Sequence, residues 1–157
     1  LGELHTFSDA DFDKTLDLSF KMLWLSLKCE IQYLTEQSLT ASIVNISSNA
    51  SLRGYANNSI YAASTAAVNS ITLSAAKELG KKNIRINAIS PGTILTPGVE
   101  NYFQQEPNAE DYLKSSILLN RIGTPEDVGN AVSFLLSENS KYIHGQVISI
   151  DGGSSIY

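Results

Sequence analysis

Apolar side chains recur at helical spacing over the first part of the chain. They stand at Phe12, Leu16, Leu23, Leu27, Ile31 and Leu34. Because residues three, four or seven positions apart share one face of a helix, the pattern predicts a long helix from about Asp9 to Gln37. Ser8 precedes this stretch, and Asp11 stands three residues after Ser8. This spacing is typical of a helix start.

Three short, mostly apolar runs rich in branched side chains predict strands. They extend from Ser42 to Ser47, from Ile84 to Ile89 and from Gln146 to Ile150. The first run is typical of a strand that is covered on both faces, as in a parallel sheet. Pro91-Gly92 breaks the second strand, and Asp151 follows the third.

Two further helices alternate with these strands. One begins near Ser59 and ends at Gly80, where glycine can take the left-handed conformation that stops a helix. The other begins with the capping residue Thr124 and Pro125 at the first helical position, and its apolar stripe runs from Val128 to Leu136. Strands and helices that alternate in this way predict right-handed βαβ units and a layered α/β fold.

The segment from Thr93 to Ile122 has a looser pattern. Gly and Pro stand early in it, and a weak helical stretch lies around Ala109 to Leu118. Such segments are typical of mobile loops or lids over a functional site. Substrate contacts are therefore expected here.

Composition and charge restrict the class of protein. With 157 residues and 43% hydrophobic content, the chain suits one globular domain spanning 1–157. The formal charge of −5, with scattered Lys and Arg, argues against a nucleic-acid partner, because phosphate binding needs a clustered basic face. No apolar run approaches the roughly 20 residues of a membrane span, and no signal-peptide pattern is visible. A small-molecule partner is expected.

Cysteine and histidine usage argues against a metal site. Cys29 is the single cysteine, which excludes an internal disulfide and a thiolate cluster and suits a reducing, cytoplasmic location. We expect it to be a small buried side chain on the first helix. His5 and His144 have no second histidine or cysteine at metal-binding spacing.

Ser48 and Tyr61 are the candidates for proton chemistry, thirteen positions apart. A phenol with a pKa of about 10 is ionised in about one molecule in a thousand at neutral pH, so a general base needs a nearby positive charge. The position one helical turn after Tyr61 holds Thr65, which offers a hydroxyl and no charge. The residues alone leave two interpretations, a proton-transfer site or a tyrosine that covers the core.

Five features together carry a resemblance to a known family. They are SIVNISS, the Ser48 to Tyr61 spacing, YAAS, INAISPGTILTPG, and the ending NRIGTPEDVGNAVSFLLSENSKYIHGQVISIDGG. In this order and spacing they resemble the C-terminal part of a classical short-chain dehydrogenase/reductase (SDR). The likeness covers essentially the whole chain. It implies a Rossmann-like parallel sheet with flanking helices and NAD or NADP as the cofactor.

The resemblance also implies roles for individual residues. Ser48 would hold and polarise the substrate oxygen, and Tyr61 would pass its proton while a hydride moves to or from the nicotinamide. Further cofactor contacts would come from the turn beside the nicotinamide and from two positions near its carboxamide, namely Pro91, Gly92, Ile94 and Thr96. Thr96 has an alternative role as a turn residue before Pro97. Asn45, within the first strand, is expected to be structural.

Two catalytic positions and one motif depart from the family pattern. Thr65 stands where the family has a lysine that lowers the tyrosine pKa, and Ser19 stands where it has an asparagine that helps hold a proton-relay water. The glycine-rich turn that binds the pyrophosphate has no counterpart, since Gly2 is the only glycine before Gly54. The first four strands of the expected sheet are therefore predicted to be absent from this chain.

Two functions follow from the resemblance. The first is an NAD(P)-dependent oxidoreductase that acts on an alcohol or ketone by hydride transfer, impaired by Thr65 and Ser19. The alternative is a non-catalytic SDR-like protein that retains the helices for assembly. Either would form a homo-oligomer, a dimer or tetramer, with Phe20, Trp24 and Ile71 as candidate contact residues. The isolated chain is expected to be poorly soluble, because the strand beginning at Ser42 lacks a partner on one side.

Overall fold

A computed structural model describes residues 1–156 of the chain. Three parallel strands form one sheet in the order β1-β2-β3. They are β1, Ala41–Ile46, β2, Ile84–Pro91, and β3, Val147–Ile150. The predicted parallel sheet is confirmed, each strand within two residues of its expected ends. The first four strands of a complete Rossmann-like sheet are not among the described residues, so one side of β1 is an open edge there.

Six α-helices flank the sheet or connect its strands in the described part of the chain. They are α1, Asp9–Leu16, α2, Met22–Glu36, α3, Ser59–Leu79, α4, Pro97–Gln105, α5, Ala109–Ser115, and α6, Pro125–Leu136. None of the helices in residues 1–156 combines the length and the apolar character that crossing a lipid bilayer requires.

The sheet is covered by helices on both faces. On one face, Leu27 of α2 and Leu79 of α3 pack with Ile84 and Ile86 of β2 in a buried apolar cluster. On the other face, Arg85 donates a hydrogen bond to the carbonyl of a buried residue in α6, Leu135. Because side chains alternate along a strand, successive residues of β2 serve the two layers. The layered α/β prediction is therefore confirmed.

The first predicted helix is interrupted by a π turn. Ser8 caps α1 as predicted, because its side chain accepts from the Asp11 N–H and the Asp11 carboxylate accepts from the Ser8 N–H. Over Asp17–Lys21 the helix then widens, and the Met22 N–H bonds to the carbonyl of Asp17, five residues back. The prediction of a buried Cys29 was wrong, because α2 turns it away from Leu27 and leaves it exposed.

The end of α3 also differs from the prediction. Gly80 is right-handed, with φ −55°, and the chain continues through a 3-10 turn, Gly80–Lys82, to Asn83, which takes the left-handed conformation with φ 57°. Asparagine tolerates that conformation better than most residues. Gly80 is instead close to His144, whose ring accepts from the Ile86 N–H at 3.2 Å and bonds to the Ala76 carbonyl at 2.8 Å.

The segment predicted as a loose loop contains two helices. The weak helical stretch corresponds to α5, but α4 was not predicted. Thr96 caps α4, with Pro97 at the start of the helix, which is the same signal that correctly predicted α6 at Thr124. The Gly and Pro residues early in this segment also favour a loop, and the loop was predicted in place of the helix.

Candidate active site

The predicted catalytic residues come from two elements that meet at one edge of the sheet. Ser48 follows the carboxyl end of β1 by two residues, and Tyr61 is the third residue of α3. The Ser47 hydroxyl donates to the Thr65 carbonyl at 3.0 Å, which attaches the end of β1 to the second turn of α3. In open α/β sheets, ligands bind outside the carboxyl ends of the strands. Ser48 and the start of α3 therefore lie at the edge of the sheet where such folds bind ligands.

The Ser48 hydroxyl is held by a short turn. Ser48 is the cap of the 3-10 turn Asn49–Ser51, and its hydroxyl oxygen accepts from the Ala50 N–H at 3.2 Å. Its hydroxyl proton donates to no group in residues 1–156. It is half-buried, so the hydroxyl can donate a hydrogen bond to a substrate oxygen.

Tyr61 and Thr65 differ sharply in environment. The Tyr61 side chain is 39% exposed and its phenol makes no hydrogen bond with the described residues. Thr65 is 5% exposed, and its hydroxyl lies 3.1 Å from each of the carbonyls of Tyr61 and Ala62. The phenol is thus available to a ligand, whereas the Thr65 side chain is turned back onto its own helix and carries no charge.

Ser19 lies in the π turn that joins α1 to α2 and is half-buried. This turn and α1 both contact α3, the helix that carries Tyr61. π turns occur mostly as short insertions and often at functional sites. The segment that contains Ser19 is therefore adjacent to the helix that carries Tyr61.

Gly92 lies where β2 and β3 end together. Its N–H donates to the carbonyl of Ile150 at 3.0 Å. A Cβ on Gly92 would lie 2.8 Å from the Cβ of Asp151 and 2.9 Å from its Cα, so a side chain here would collide with the neighbouring chain. Burial acts to raise the Asp151 pKa, but hydrogen bonds from Ser155, Gly153 and Ser154 outweigh it and lower the pKa.

Ile94 is held between two backbone hydrogen bonds to Gly123. The Gly123 N–H donates to Thr93, and the Leu95 N–H donates to Gly123. The Ile94 N–H itself has no acceptor among residues 1–156 and is available to a ligand. Thr96 is exposed and caps α4, so its role as a turn residue has structural support, and its carboxamide contact stays a prediction.

A pocket of about 440 Å³ lies beside Ile94 but includes neither Ser48 nor Tyr61. Its rim carries the Arg121–Asp127 ion pair, with nitrogen–oxygen distances of 2.7 and 2.9 Å. The Arg121 guanidinium, followed by the Thr124 N–H, holds the pKa of the Asp127 carboxyl well below its ordinary value. Because the candidate reacting groups lie outside this pocket, we do not identify it with the reacting site.

Asn49 is a site neighbour that the sequence does not predict. It directly follows Ser48 and is 8% exposed. Its side-chain nitrogen donates to the Tyr55 hydroxyl and to the Ser154 hydroxyl, 2.9 Å away in each case. A polar residue inside a turn of small residues was the available signal, but nothing in the sequence indicates its distant partner.

Similarity to known proteins covers nearly all of the chain. Residues 1–155 match the family model described as Enoyl-(Acyl carrier protein) reductase. The chain is 39% identical over 145 residues to the 3-oxoacyl-(acyl-carrier-protein) reductase FabG of Thermotoga maritima, covering 92% of this chain and 57% of FabG.

Two solved structures share the fold. ElxO with NADP bound gives a TM-score of 0.93 at 31% identity and covers 100% of this chain and 63% of the ElxO chain. 4-Hydroxyisoleucine dehydrogenase complexed with NADH gives 0.94 at 31% identity, over 99% of this chain and 64% of that chain. The chain therefore spans less than two thirds of the length of each of these three relatives.

The family match, the parallel sheet with helices on both faces and the location of Ser48 and Tyr61 agree with one another. The chain belongs to the short-chain dehydrogenase/reductase family.

Proposed function

We propose that the protein containing this chain is an NAD(P)-dependent oxidoreductase that interconverts an alcohol and a ketone. The observation that carries the proposal is the pair of free hydroxyl groups at the carboxyl edge of the sheet. Ser48 and Tyr61 each have a hydroxyl proton that no described residue accepts. Family membership supplies the reaction class, and the similar structures carry NADP or NADH.

The residues at the end of β2 fit the nicotinamide part of the cofactor. The free Ile94 N–H can donate to the carboxamide, and Pro91-Gly92 forms a turn without a side chain at Gly92. When bound, the nicotinamide would give or accept the hydride. At the ribose, Thr65 offers no charge, and its hydroxyl is already bonded within α3.

In ketone reduction, Ser48 would donate a hydrogen bond to the carbonyl oxygen and polarise it. Tyr61 would give its phenolic proton to the same oxygen as the carbon receives the hydride. Alcohol oxidation reverses both transfers, so Tyr61 must then act as the base. A phenolate is scarce at neutral pH without a neighbouring cation, and each unit by which a pKa is not lowered costs about tenfold in reactive base. Slow turnover is therefore expected.

A specific observation favours a second function. Position 65 is buried and its hydroxyl is satisfied within the helix, so the cation expected at a working SDR site is missing. The alternative is a non-catalytic SDR-like protein whose helices serve assembly. In that protein Ser48 and Tyr61 would remain as structural residues of the shared fold.

Titration of the full-length protein with NADH and NADPH, followed by nicotinamide fluorescence, tests cofactor binding. Turnover of a panel of ketones and secondary alcohols tests the reaction. Tyr61→Phe keeps the ring and removes the acid, and Ser48→Ala removes the polarising hydroxyl. We expect wild-type turnover that each substitution lowers by about 10²-fold or more. Cofactor binding without turnover, with Tyr61→Phe indistinguishable from wild type, would support the non-catalytic alternative.

The same protein is proposed to form a homo-oligomer through α1, α2 and α3. Trp24 is 42% exposed on α2 and carries the Lys28 ammonium 5.5 Å from its ring centre. Phe20 is half-buried beside it. Ile71 packs against the buried cluster between α3 and β2, so Trp24 and Phe20 are the better candidates for the contact face.

A further inference from the structure

Two parts of the chain that are distant in sequence meet beside Ser48. The first is the turn that follows β1, and the second is the turn at residues 151–155 that follows β3. Asn49, in the first turn, donates one hydrogen bond to Ser154, in the second, across 2.9 Å and 105 sequence positions. Arg53 donates another to the Ser154 carbonyl. Both connections thus end on the same residue.

The contact is buried and well organised. Ser154 is 4% exposed and Asn49 is 8% exposed, so water competes little for their hydrogen bonds. Tyr55 accepts the second hydrogen bond from Asn49 and lies under the Arg53 guanidinium, 4.7 Å from ring centre to Cζ. Asp151 accepts from the N–H groups of Gly153 and Ser155, which fixes the shape of the second turn.

This contact lies directly beside the turn that holds Ser48. Ser48 makes its backbone contacts inside the 3-10 turn Asn49–Ser51, whose N–H groups bond to the Ser48 hydroxyl and carbonyl. The 3-10 helix Asn49–Ser51 is only one turn long. Hydrogen bonds in 3-10 helices have poorer geometry than those in α-helices. Contacts from outside the turn therefore help to keep the Ser48 hydroxyl in one orientation. One is the bond from Asn69 of α3 to the Ser51 hydroxyl, and the other is the Asn49–Ser154 hydrogen bond.

We propose that Asn49 is a positioning residue for Ser48 and that the turn at residues 151–155 is its anchor, through Ser154. The catalytic consequence rests on the proposed function. The mechanical part, namely that the turn at residues 151–155 holds the turn Asn49–Ser51 in place, does not. Loosening the anchor would move the Ser48 hydroxyl relative to the substrate oxygen. Displacement of a catalytic group by about 1 Å can cost about 10²-fold in rate.

Ser154→Ala and Asn49→Ala in the full-length protein test the mechanical part. Amide hydrogen exchange is measured at residues 51–53, whose N–H groups bond to the Ser48 and Asn49 carbonyls. We expect exchange there to rise by about tenfold or more, with no change at 84–89 in β2. Ser133→Ala, an exposed serine on α6, is the matched control and should leave both regions unchanged. Unchanged exchange at 51–53, or an equal rise at 84–89, would overturn the proposal.

Kinetics test the catalytic part. Both variants should lower kcat by about tenfold to 10²-fold while the KM for the cofactor stays within about twofold of wild type. Faster exchange at 51–53 with an unchanged kcat would overturn the role of the anchor in positioning Ser48. If the wild type turns over no alcohol or ketone, the proposed function fails, and the exchange result alone still decides whether the anchor exists.

Discussion

The hydroxyl of Thr65 donates a hydrogen bond to the backbone carbonyl of Tyr61, 3.1 Å away. Thr65, one turn after the candidate acid/base, therefore bonds to the backbone of Tyr61 and makes no hydrogen bond with its phenol. Replacing this contact by a positive charge is the most direct test of the proposed chemistry.

Thr65→Lys in the full-length protein is expected to raise oxidoreductase activity by at least about tenfold, because a tyrosine pKa lowered by one unit gives about ten times more base. The long stem can carry the ammonium out of the buried position towards the active-site edge. Turnover of ketones and secondary alcohols is the measurement. Thr65→Met controls for size without charge, and equal rates for threonine, methionine and lysine would show that position 65 does not control Tyr61.

Gly92→Ala is expected to destabilise the fold by about 1–3 kcal/mol, because the new methyl group would collide with the backbone of Asp151. Gly129 provides the matched control, since a Cβ there meets no atom within 4 Å and the residue lies inside α6. Gly129→Ala should stabilise by about 0.5–1 kcal/mol. Urea unfolding compares the two. Equal effects of the two alanines would contradict the close approach of β2 and β3.

Asp127→Asn should make the protein less stable in a manner that depends on pH. The Arg121 guanidinium lowers the Asp127 pKa in the folded state from its ordinary value of 3.8. The unfolded chain then binds more protons near that value, so the stabilisation is present above pH 3.8 and is lost as the pH falls towards the folded-state pKa.

The difference in urea midpoint between wild type and Asp127→Asn should therefore shrink as the pH is lowered from about 7 to about 3. Glu126→Gln removes an exposed neighbouring carboxylate as a control. A difference that stays constant over this range would mean that the ion pair contributes nothing to stability.

Trp24→Ser is expected to weaken self-association by removing a large exposed ring from the proposed contact face. Tyr142→Ser, which removes a fully exposed ring after α6, should leave association unchanged. Sedimentation velocity at micromolar concentration measures both. A monodisperse wild-type monomer would contradict the proposed homo-oligomer.

Local signals predicted most of the fold because they act over a few residues. The caps at Ser8 and Thr124 and the three strands depend on neighbours in sequence, and all were found. Gly80 misled because a glycine can serve close packing as well as a left-handed turn, and here it lies close to His144. The exposure of Cys29 depends on which face of α2 meets the sheet.

The candidate site shows the same contrast between features set by local sequence and features set by the tertiary fold. The order of strand, turn and helix was enough to predict the location of Ser48 and Tyr61. The bonding of the Thr65 hydroxyl required the helix geometry, and the contact between Asn49 and Ser154 required the tertiary fold, because 105 positions separate the two residues. The hydrogen-bond partner of a residue is thus harder to predict than the place of that residue in the fold.

His144 occupies a junction between a helix and a strand. The Ile86 N–H donates to Nδ1, so in the neutral ring the proton must sit on Nε2, from which it is donated to the Ala76 carbonyl. The junction thereby selects one tautomer. Since the two nitrogens give separate chemical shifts, a single isotope-labelled histidine would report whether the last turn of α3 is seated on the sheet.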